Sequence, residues 1–335
     1  MIGIEKEIRF IDLFGGVGGF RLGLERANSC ISQSKKWESK ERRDRTSNEQ
    51  GTQFYDRQNT PFSCVWYCDN DKYAVQTYNK NFGTDHKATD IRGIQANDIP
   101  EHDMLCAGFP CQAFSIAGKR RGFEDTRGTL FFEIARILET KRPTYLFLEN
   151  VKGLLSHEEG KTFKTILRTL DDLGYDIQWM VLNSKFFGVP QNRERVFIIG
   201  SLRGKSRPKI LPIKESNEVD IQQNKKLPEQ ISNTLRTNYG GGYSNETYTL
   251  GRKESYALDS NYYKGTNTLE KGRRQMVYDK NSIRRLTPVE CERLQSFPDN
   301  WTEGVSDTQR YKQMGNAVTV NVIEAIGRKL GDVIE

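Results

Sequence analysis

Short apolar runs alternate with amphipathic stretches along the chain up to about residue 200. EIRFIDLF (7–14) is apolar and rich in β-formers. It ends in GGVGGF, after which RLGLERA opens a helical pattern. CVWYCDND (64–71) predicts a second strand that ends in acid, followed by helical KYAVQTYNKNF. HDMLCAGF (102–109) and TYLFLENV (144–151) predict two more strands. Between them GTLFFEIARILET carries apolar residues at 130, 131, 134, 137 and 138, a helical spacing. WMVLNSKFF and RVFIIGS predict two further strands. Strands alternating with helices argue for a parallel sheet with right-handed crossovers, an α/β doubly wound domain.

Two segments break this rhythm. Residues 28–61 are polar, charged and free of repeats, which predicts a flexible surface insertion. Residues 201–280 lose the alternation and become rich in Gly, Asn, Tyr, Lys and Arg, as in NYGGGYSNETY and DSNYYKG. That shift predicts a second, smaller, loop-rich domain. The closing TQRYKQMGNAVTVNVIEAIGRKL is amphipathic and helical again, and is expected to return to the first domain. The expected division is 1–200 with 309–335 as the main domain, 201–283 as the smaller one, and 284–308 as a connecting segment.

Composition narrows the class. A chain of 335 residues, 36% hydrophobic and 28% charged, can bury a real core, as a globular protein does. No apolar stretch approaches the roughly 18 residues needed to span a bilayer. The start MIGIEKEIRF lacks the basic-then-apolar pattern of a signal peptide, so the cytoplasm is the expected compartment. Six cysteines (30, 64, 68, 106, 111, 291) form neither a disulfide framework nor paired CxxC sets. With only three histidines, no metal site is expected. The net charge is +7, and residues 201–280 hold 15 Lys/Arg against 9 Asp/Glu. A basic segment of this kind suits a polyanionic partner, though a solvated basic surface has the same composition.

The candidate chemistry collects at predicted strand ends. DLFGGVGGF follows a strand and opens a helix, where glycines let backbone N–H groups approach a ligand. Its spacing is not GxGxxG. Asp69 ends the second strand and would lie roughly 20 residues on without the insertion, the distance usual for a ribose-binding acid. Asp90 is placed to accept from an adenine amino group. Either acid would serve equally as a loop or capping residue. Together they imply an adenosyl ligand, for which NAD and S-adenosylmethionine both qualify.

Cys106 falls in mid-strand and is expected in the core, whereas Cys111 falls beyond the strand's carboxyl end. The loop behind Cys111, FSIAGKRRGFEDTRG, is glycine-containing and basic, a setting that raises a thiol's thiolate fraction. Glu149 ends the next strand at the same edge, where a carboxylate suits acid–base work. QNRER (191–195) puts Arg193 and Arg195 on one side by alternation, available to a charged substrate or to salt bridges.

The runs FIDLFGGVGGFRLGLE, GFPCQAFSIAGKRRGFEDTRGTLFFEIARIL, ENVKGLLS, GVPQNRER, RRLTPVECERLQSFPD and YKQMGNAV occur in an order that resembles the bacterial cytosine-5 DNA methyltransferases of restriction–modification systems. The resemblance covers most of 8–27 and 64–200, then 284–327. It implies a Rossmann-like S-adenosylmethionine-dependent methyltransferase fold with a small target-recognition domain and a DNA cleft between them. It implies methyl transfer to carbon 5 of a flipped-out cytosine through a covalent cysteine adduct, with S-adenosylhomocysteine as product. Duplex DNA and a cognate restriction endonuclease are the implied partners.

Residue by residue, Cys111 matches the nucleophile, Glu149 the glutamate that engages ring nitrogen 3, and Asn150 a supporting asparagine. Arg195 matches the arginine at the base's carbonyl oxygen, with Arg193 beside it. Phe14, Gly16, Gly18, Asp69, Asp90, Ile91, Pro110, Leu130, Asn316 and Val318 match cofactor-lining positions. Two positions depart from the pattern: the ribose-binding acid is often Glu rather than Asp69, and an aromatic often stands where Asn70 does. The family's Thr-Leu pair has two candidates, Thr234-Leu235 and Thr268-Leu269, and residues 112–128 are the expected lid. An RNA cytosine methyltransferase is the nearest alternative. A NAD-dependent oxidoreductase would leave Cys111, Glu149 and QNRER without a purpose.

Overall fold

The computed structural model describes residues 7–27, 62–110, 130–205, 209–213, 255–256, 258, 260, 276–279 and 282–331. The insertion 28–61, Cys111 with the expected lid, and both Thr-Leu candidates lie outside the described residues.

Six strands form the central sheet: β1 (Ile8–Leu13), β2 (Phe62–Cys68), β3 (Met104–Gly108), β4 (Tyr145–Val151), β5 (Tyr175–Asn183) and, after the two-residue β6 (Gln191–Asn192), β7 (Glu194–Leu202). Their order is β2-β1-β3-β4-β7-β5. The first four pair in parallel, as the alternation of elements predicts. The all-parallel expectation fails at β7, which runs antiparallel to both β4 and β5. The reason is the connection. Only residues 184–193 separate β5 from β7, too few for the dozen or more that a crossover to a parallel neighbour requires.

Side-chain alternation divides the core between the two faces of this sheet. Leu105, Ala107, Leu146, Leu148, Val196 and Ile198 pack on one side. They meet Phe131, Ile134 and Leu138 of α3 (Leu130–Lys141) and Ile166 and Leu170 of α4 (Lys161–Asp172). Met104, Cys106, Tyr145, Phe147, Phe197 and Ile199 face the other way. Phe20 and Leu24 of the helix at 19–27 (α1) cover them, together with Val322, Ile323 and Ile326 of a C-terminal helix, Val320–Gly331. Cys106 is completely buried in mid-strand, as its position predicts.

Helix α2 (Lys72–Phe82) starts at Asp71, whose carboxylate accepts from the N–H groups of Tyr73 and Ala74, and stops at Gly83 in the left-handed region. Two more helices, α5 (Pro288–Leu294) and α6 (Asp307–Asn316), precede the C-terminal helix, α7. Thr287 and Glu290 form a capping box at the start of α5. The closing segment is therefore two helices rather than one, interrupted at Ala317–Thr319. The second of them packs against the main sheet through Val322, Ile323 and Ile326. A short parallel pair joins β6 to β8 (Ser255–Tyr256), and β9 (Met276–Asp279) pairs with β10 (Ser282–Arg285).

Candidate active site

The glycine turn after β1 uses backbone conformations that few side chains adopt. Phe14, Gly16 and Gly18 have φ of 53°, 54° and 86°. At Gly18 a side chain would also collide with the Phe82 ring, only 2.2 Å from where a Cβ would stand. The turn is tied to β2. Gly16 N–H donates to Asp69 Oδ2 at 2.9 Å, and the Tyr67 hydroxyl donates to the Gly16 carbonyl at 2.7 Å. Asp71 N–H donates to the second Asp69 oxygen at 2.8 Å, so Asp69 is oriented from both ends. Burial raises its pKa above the ordinary carboxylate value despite these donors.

A small cleft opens beside this turn. It is lined by Phe14, Cys68, Asp69, Asn70, Thr89, Asp90, Ile91 and Leu130. Five of the positions matched from sequence to a cofactor site thus converge here: Phe14, Asp69, Asp90, Ile91 and Leu130. Asp90 also caps a short turn at Ile91–Gly93 and pairs with Arg92, which lowers its pKa. It is therefore both a capping residue and part of the cleft wall. Cys68 and Thr89 were not legible as wall residues, since nothing in their types distinguishes them from core and loop. Val318 is not among the residues lining this cleft and stands 2.6 Å from where a Gly19 Cβ would be, while Asn316 and Pro110 are exposed.

The second group of residues gathers where β3, β4 and β7 end or begin. Gly108 of β3 lies opposite Glu149 of β4, and the chain then runs through Phe109 and Pro110 toward Cys111. The Asn150 side-chain amide donates to the Phe109 carbonyl at 2.9 Å, while its oxygen accepts from Val151 N–H. Asn150 therefore fixes the backbone two residues ahead of Cys111. Arg195 pairs in register with Val151, which places it diagonally across from Glu149 on the same face. Its Nε stands 3.1 Å from Glu149 Oε1, with the two side chains 17% and 10% exposed. Burial raises the Glu149 pKa, while Arg195 and Arg193 act against it; desolvation is the larger effect.

The reversal of β7 is what makes this meeting possible. In an all-parallel sheet the start of a strand lies at the edge opposite the strand carboxyl ends. Because β7 runs the other way, its first residues arrive at the edge where β1, β2, β3 and β4 finish.

Arg193 does not share the position that alternation suggested for it. Its side chain is 1% exposed, and its guanidinium donates to three backbone carbonyls, those of Leu258 (2.7 Å), Gly315 (3.0 Å) and Ala317 (2.8 Å). Its charge opposes the upward shift of the Glu149 pKa, without an ion pair to Glu149. Gln191, which carried no signal in the sequence beyond its motif, is fully buried and binds backbone in the same way.

Comparisons with known proteins show the family to which the chain is related. The sequence profile described as C-5 cytosine-specific DNA methylase matches residues 8–332. The chain is 40% identical to the type II methyltransferase M1.ScrFI of Lactococcus lactis subsp. cremoris, over 98% of this chain and 79% of that one. It is 38% identical to M.HpaII of Haemophilus parainfluenzae, covering 98% and 90%. With M.HhaI of Haemophilus parahaemolyticus it shares 35% identity, covering 97% and 94%. Among solved structures, the S. pombe Dnmt2 methyltransferase superposes with a TM-score of 0.65 at 19% identity, over 98% of both chains. The Entamoeba histolytica methyltransferase EhMeth gives 0.59 at 20%, over 98% and 99%. At such identities these two bear on the fold alone.

Proposed function

The chain belongs to the family of C-5 cytosine-specific DNA methylases, and from that premise we propose how its residues divide the work. It is a DNA (cytosine-5-)-methyltransferase of the restriction–modification type, with a Rossmann-like fold and DNA as its substrate. The RNA alternative is not favoured, and the oxidoreductase alternative falls with it. The observation that carries the assignment of roles is the convergence of three neighbouring strands. Phe109–Pro110 leading to Cys111, the Glu149–Asn150 pair and Arg195 all lie at one sheet edge.

The family implies S-adenosylmethionine, which when bound supplies an electrophilic sulfonium methyl group. The cleft fits such a ligand: it has an oriented, largely buried carboxylate at Asp69, a second acid at Asp90, and apolar walls at Phe14, Ile91 and Leu130. Gly16 adds an open approach, with nothing within 4 Å of where its Cβ would be. Asp69 would accept from ribose hydroxyls, and Phe14, Ile91 and Leu130 would flank the adenine. Gly18, Pro110, Asn316 and Val318 would complete the cofactor-lining set.

Carbon 5 of cytosine is a poor nucleophile, so the chain must activate it. The Cys111 thiolate attacks carbon 6, and the Glu149 carboxyl delivers a proton to ring nitrogen 3, leaving an enamine with its electron density on carbon 5. The raised pKa of Glu149 suits it to hold that proton. Arg195 stabilises charge developing on the base's carbonyl oxygen and keeps the Glu149 carboxyl in place. Asn150 holds the Phe109 carbonyl and with it the approach of Cys111. Once carbon 5 carries the methyl group, loss of the carbon 5 proton, expulsion of the Cys111 thiolate and return of the nitrogen 3 proton to Glu149 restore the aromatic ring. A stacked base cannot enter such a site, so the cytosine is flipped out, at a cost of a few kcal/mol.

Residues 201–283 would read the target sequence, their basic side chains setting register on phosphates and their polar groups reading base edges. The lid 112–128 would close over the flipped base. In the cell the enzyme would act in the cytoplasm beside a cognate restriction endonuclease. Bisulfite sequencing of a plasmid from cells expressing the chain tests the reading. Methylated cytosines in one recurring sequence are expected, and none with Cys111→Ala. Methylation retained by Cys111→Ala would overturn the assignment of the nucleophile.

A further inference from the structure

Three residues of the QNRER stretch, spaced two apart, divide their side chains between Glu149 and Leu258. Arg195 holds Glu149. Gln191 and Arg193 both hold the backbone of Leu258. Gln191 Oε1 accepts from Leu258 N–H at 3.0 Å, and Arg193 Nη1 donates to the Leu258 carbonyl at 2.7 Å. The Leu258 side chain is buried with Val17, Leu22, Leu286, Leu294 and Met314.

Gln191 and Arg193 each use a remaining donor elsewhere. Gln191 Nε2 donates to the Leu294 carbonyl at 2.7 Å, and Arg193 Nη2 donates to those of Gly315 and Ala317. Just upstream, β8 runs parallel to β6, pairing Gln191 with Ser255 and Asn192 with Tyr256. A buried glutamine and a buried arginine spent on the backbone of a single residue are a costly way to secure a loop. Each would leave uncompensated polar groups if its partner moved.

We propose that Gln191 and Arg193 are positioning residues that lock Leu258, beside the Ser255–Tyr256 strand and within the region read as target-recognising, to the strand that carries Arg195. The inference rests on the proposed function. On that reading, a recognition region that settles on its DNA sequence must also deliver one cytosine to Glu149 and Cys111. A rigid connection of this kind sets the offset between the two. Loosening it uncouples recognition from delivery without touching the cofactor cleft.

The test measures steady-state methylation of a cognate duplex and of a duplex with one mismatched pair. Wild type is compared with Gln191→Met and with Arg193→Lys, which keeps the charge near Glu149 but loses the guanidinium fork. The expected result is a KM for cognate DNA raised about tenfold, as loss of one or two buried hydrogen bonds implies. The cognate-to-mismatch ratio is expected to fall, with S-adenosylmethionine affinity measured by calorimetry unchanged.

A purely structural role would instead lower kcat in step with the folded fraction and leave KM and the ratio unmoved; that outcome overturns the proposal. Hydrogen exchange on the wild-type chain supplies a reading independent of any variant. The Leu258 amide should exchange as slowly as those of β7, and fast exchange would overturn the lock. Absence of methyl transfer by the wild type removes the proposed function itself. Transfer with an unchanged KM in both variants removes only the lock.

Discussion

Arg195 Nε and Glu149 Oε1 stand 3.1 Å apart on two antiparallel strands, at the sheet edge where the described chain also heads toward Cys111. The pair is too buried to be a surface ion pair of the kind worth a fraction of a kcal/mol. Burial wins over the attraction for both partners: it raises the Glu149 pKa and lowers that of Arg195.

On the proposed mechanism, Glu149→Gln removes the proton donor and keeps the shape. Loss of a general acid costs about 10²–10⁴-fold in rate. A fall of that size in single-turnover methylation is expected, with S-adenosylmethionine affinity unaltered. Activity within threefold of wild type would remove Glu149 from the chemistry.

Arg195 opposes the upward shift of Glu149, so its removal should let that pKa rise further. The limb of the pH profile along which activity is lost as Glu149 deprotonates should therefore move to higher pH in Arg195→Met, alongside a lower kcat. Profiles of kcat/KM for the two proteins measure this, and a limb that stays in place would contradict it.

Asp69 is held by the N–H groups of Gly16 and Asp71, with the rest of its carboxylate facing the cleft. Asp69→Ala should weaken S-adenosylmethionine binding at least tenfold, since hydrogen bonds to charged groups contribute about 1.5–3 kcal/mol. Calorimetric titration reads the change directly. DNA binding measured without cofactor should remain as in the wild type.

Asp12 lies beneath the glycine turn, fully buried, with neither carboxylate oxygen hydrogen-bonded by the described residues. Burial, assisted by Asp69, pushes its pKa up to about 8 from 3.8. Between those values the folded chain keeps a proton that the unfolded chain has released. Stability at this site therefore falls as pH rises through that window, by up to about 1.4 kcal/mol per pH unit, and levels off above it. Asp12→Asn should flatten this part of the stability–pH curve, as denaturant titrations from pH 5 to 8 would show. A slope unchanged by the substitution would mean that Asp12 is ionised throughout.

Gly23 lies in α1 where α7 crosses it. A Cβ there would stand 2.5 Å from Ile323 Cβ and 3.0 Å from the Val320 carbonyl. Gly23→Ala should gain about 1 kcal/mol of helix propensity. Overpacking costs about 1–3 kcal/mol, and here one of the obstacles is backbone. The clash should win, and thermal unfolding should show a lowered midpoint.

Much of the site was legible because its chemistry is local. The glycines after β1, the acid after β2, the cysteine beyond β3 and the ENV at the end of β4 each sit at a strand end that hydrophobic alternation marks. Helix α4 was not read at all, although Phe163, Ile166 and Leu170 recur at helical spacing. The wall residues Cys68 and Thr89 were missed because their side-chain types carry no signal of a cleft.

What the sequence by itself determined was the set of strands, the two-faced pattern of their side chains, and the residue types at their ends, all properties of a few neighbouring positions. Direction and partnership belong to the tertiary structure. Only the short return from β5 through β6 turns β7 antiparallel and brings Arg195 to Glu149. Arg193 and Arg195 have the same type and lie two residues apart, yet one is enclosed by three carbonyls from distant segments while the other meets a carboxylate. The physical reason is that a buried guanidinium must find acceptors, and which acceptors lie within reach depends on segments more than a hundred residues away, at Gly315 and Ala317.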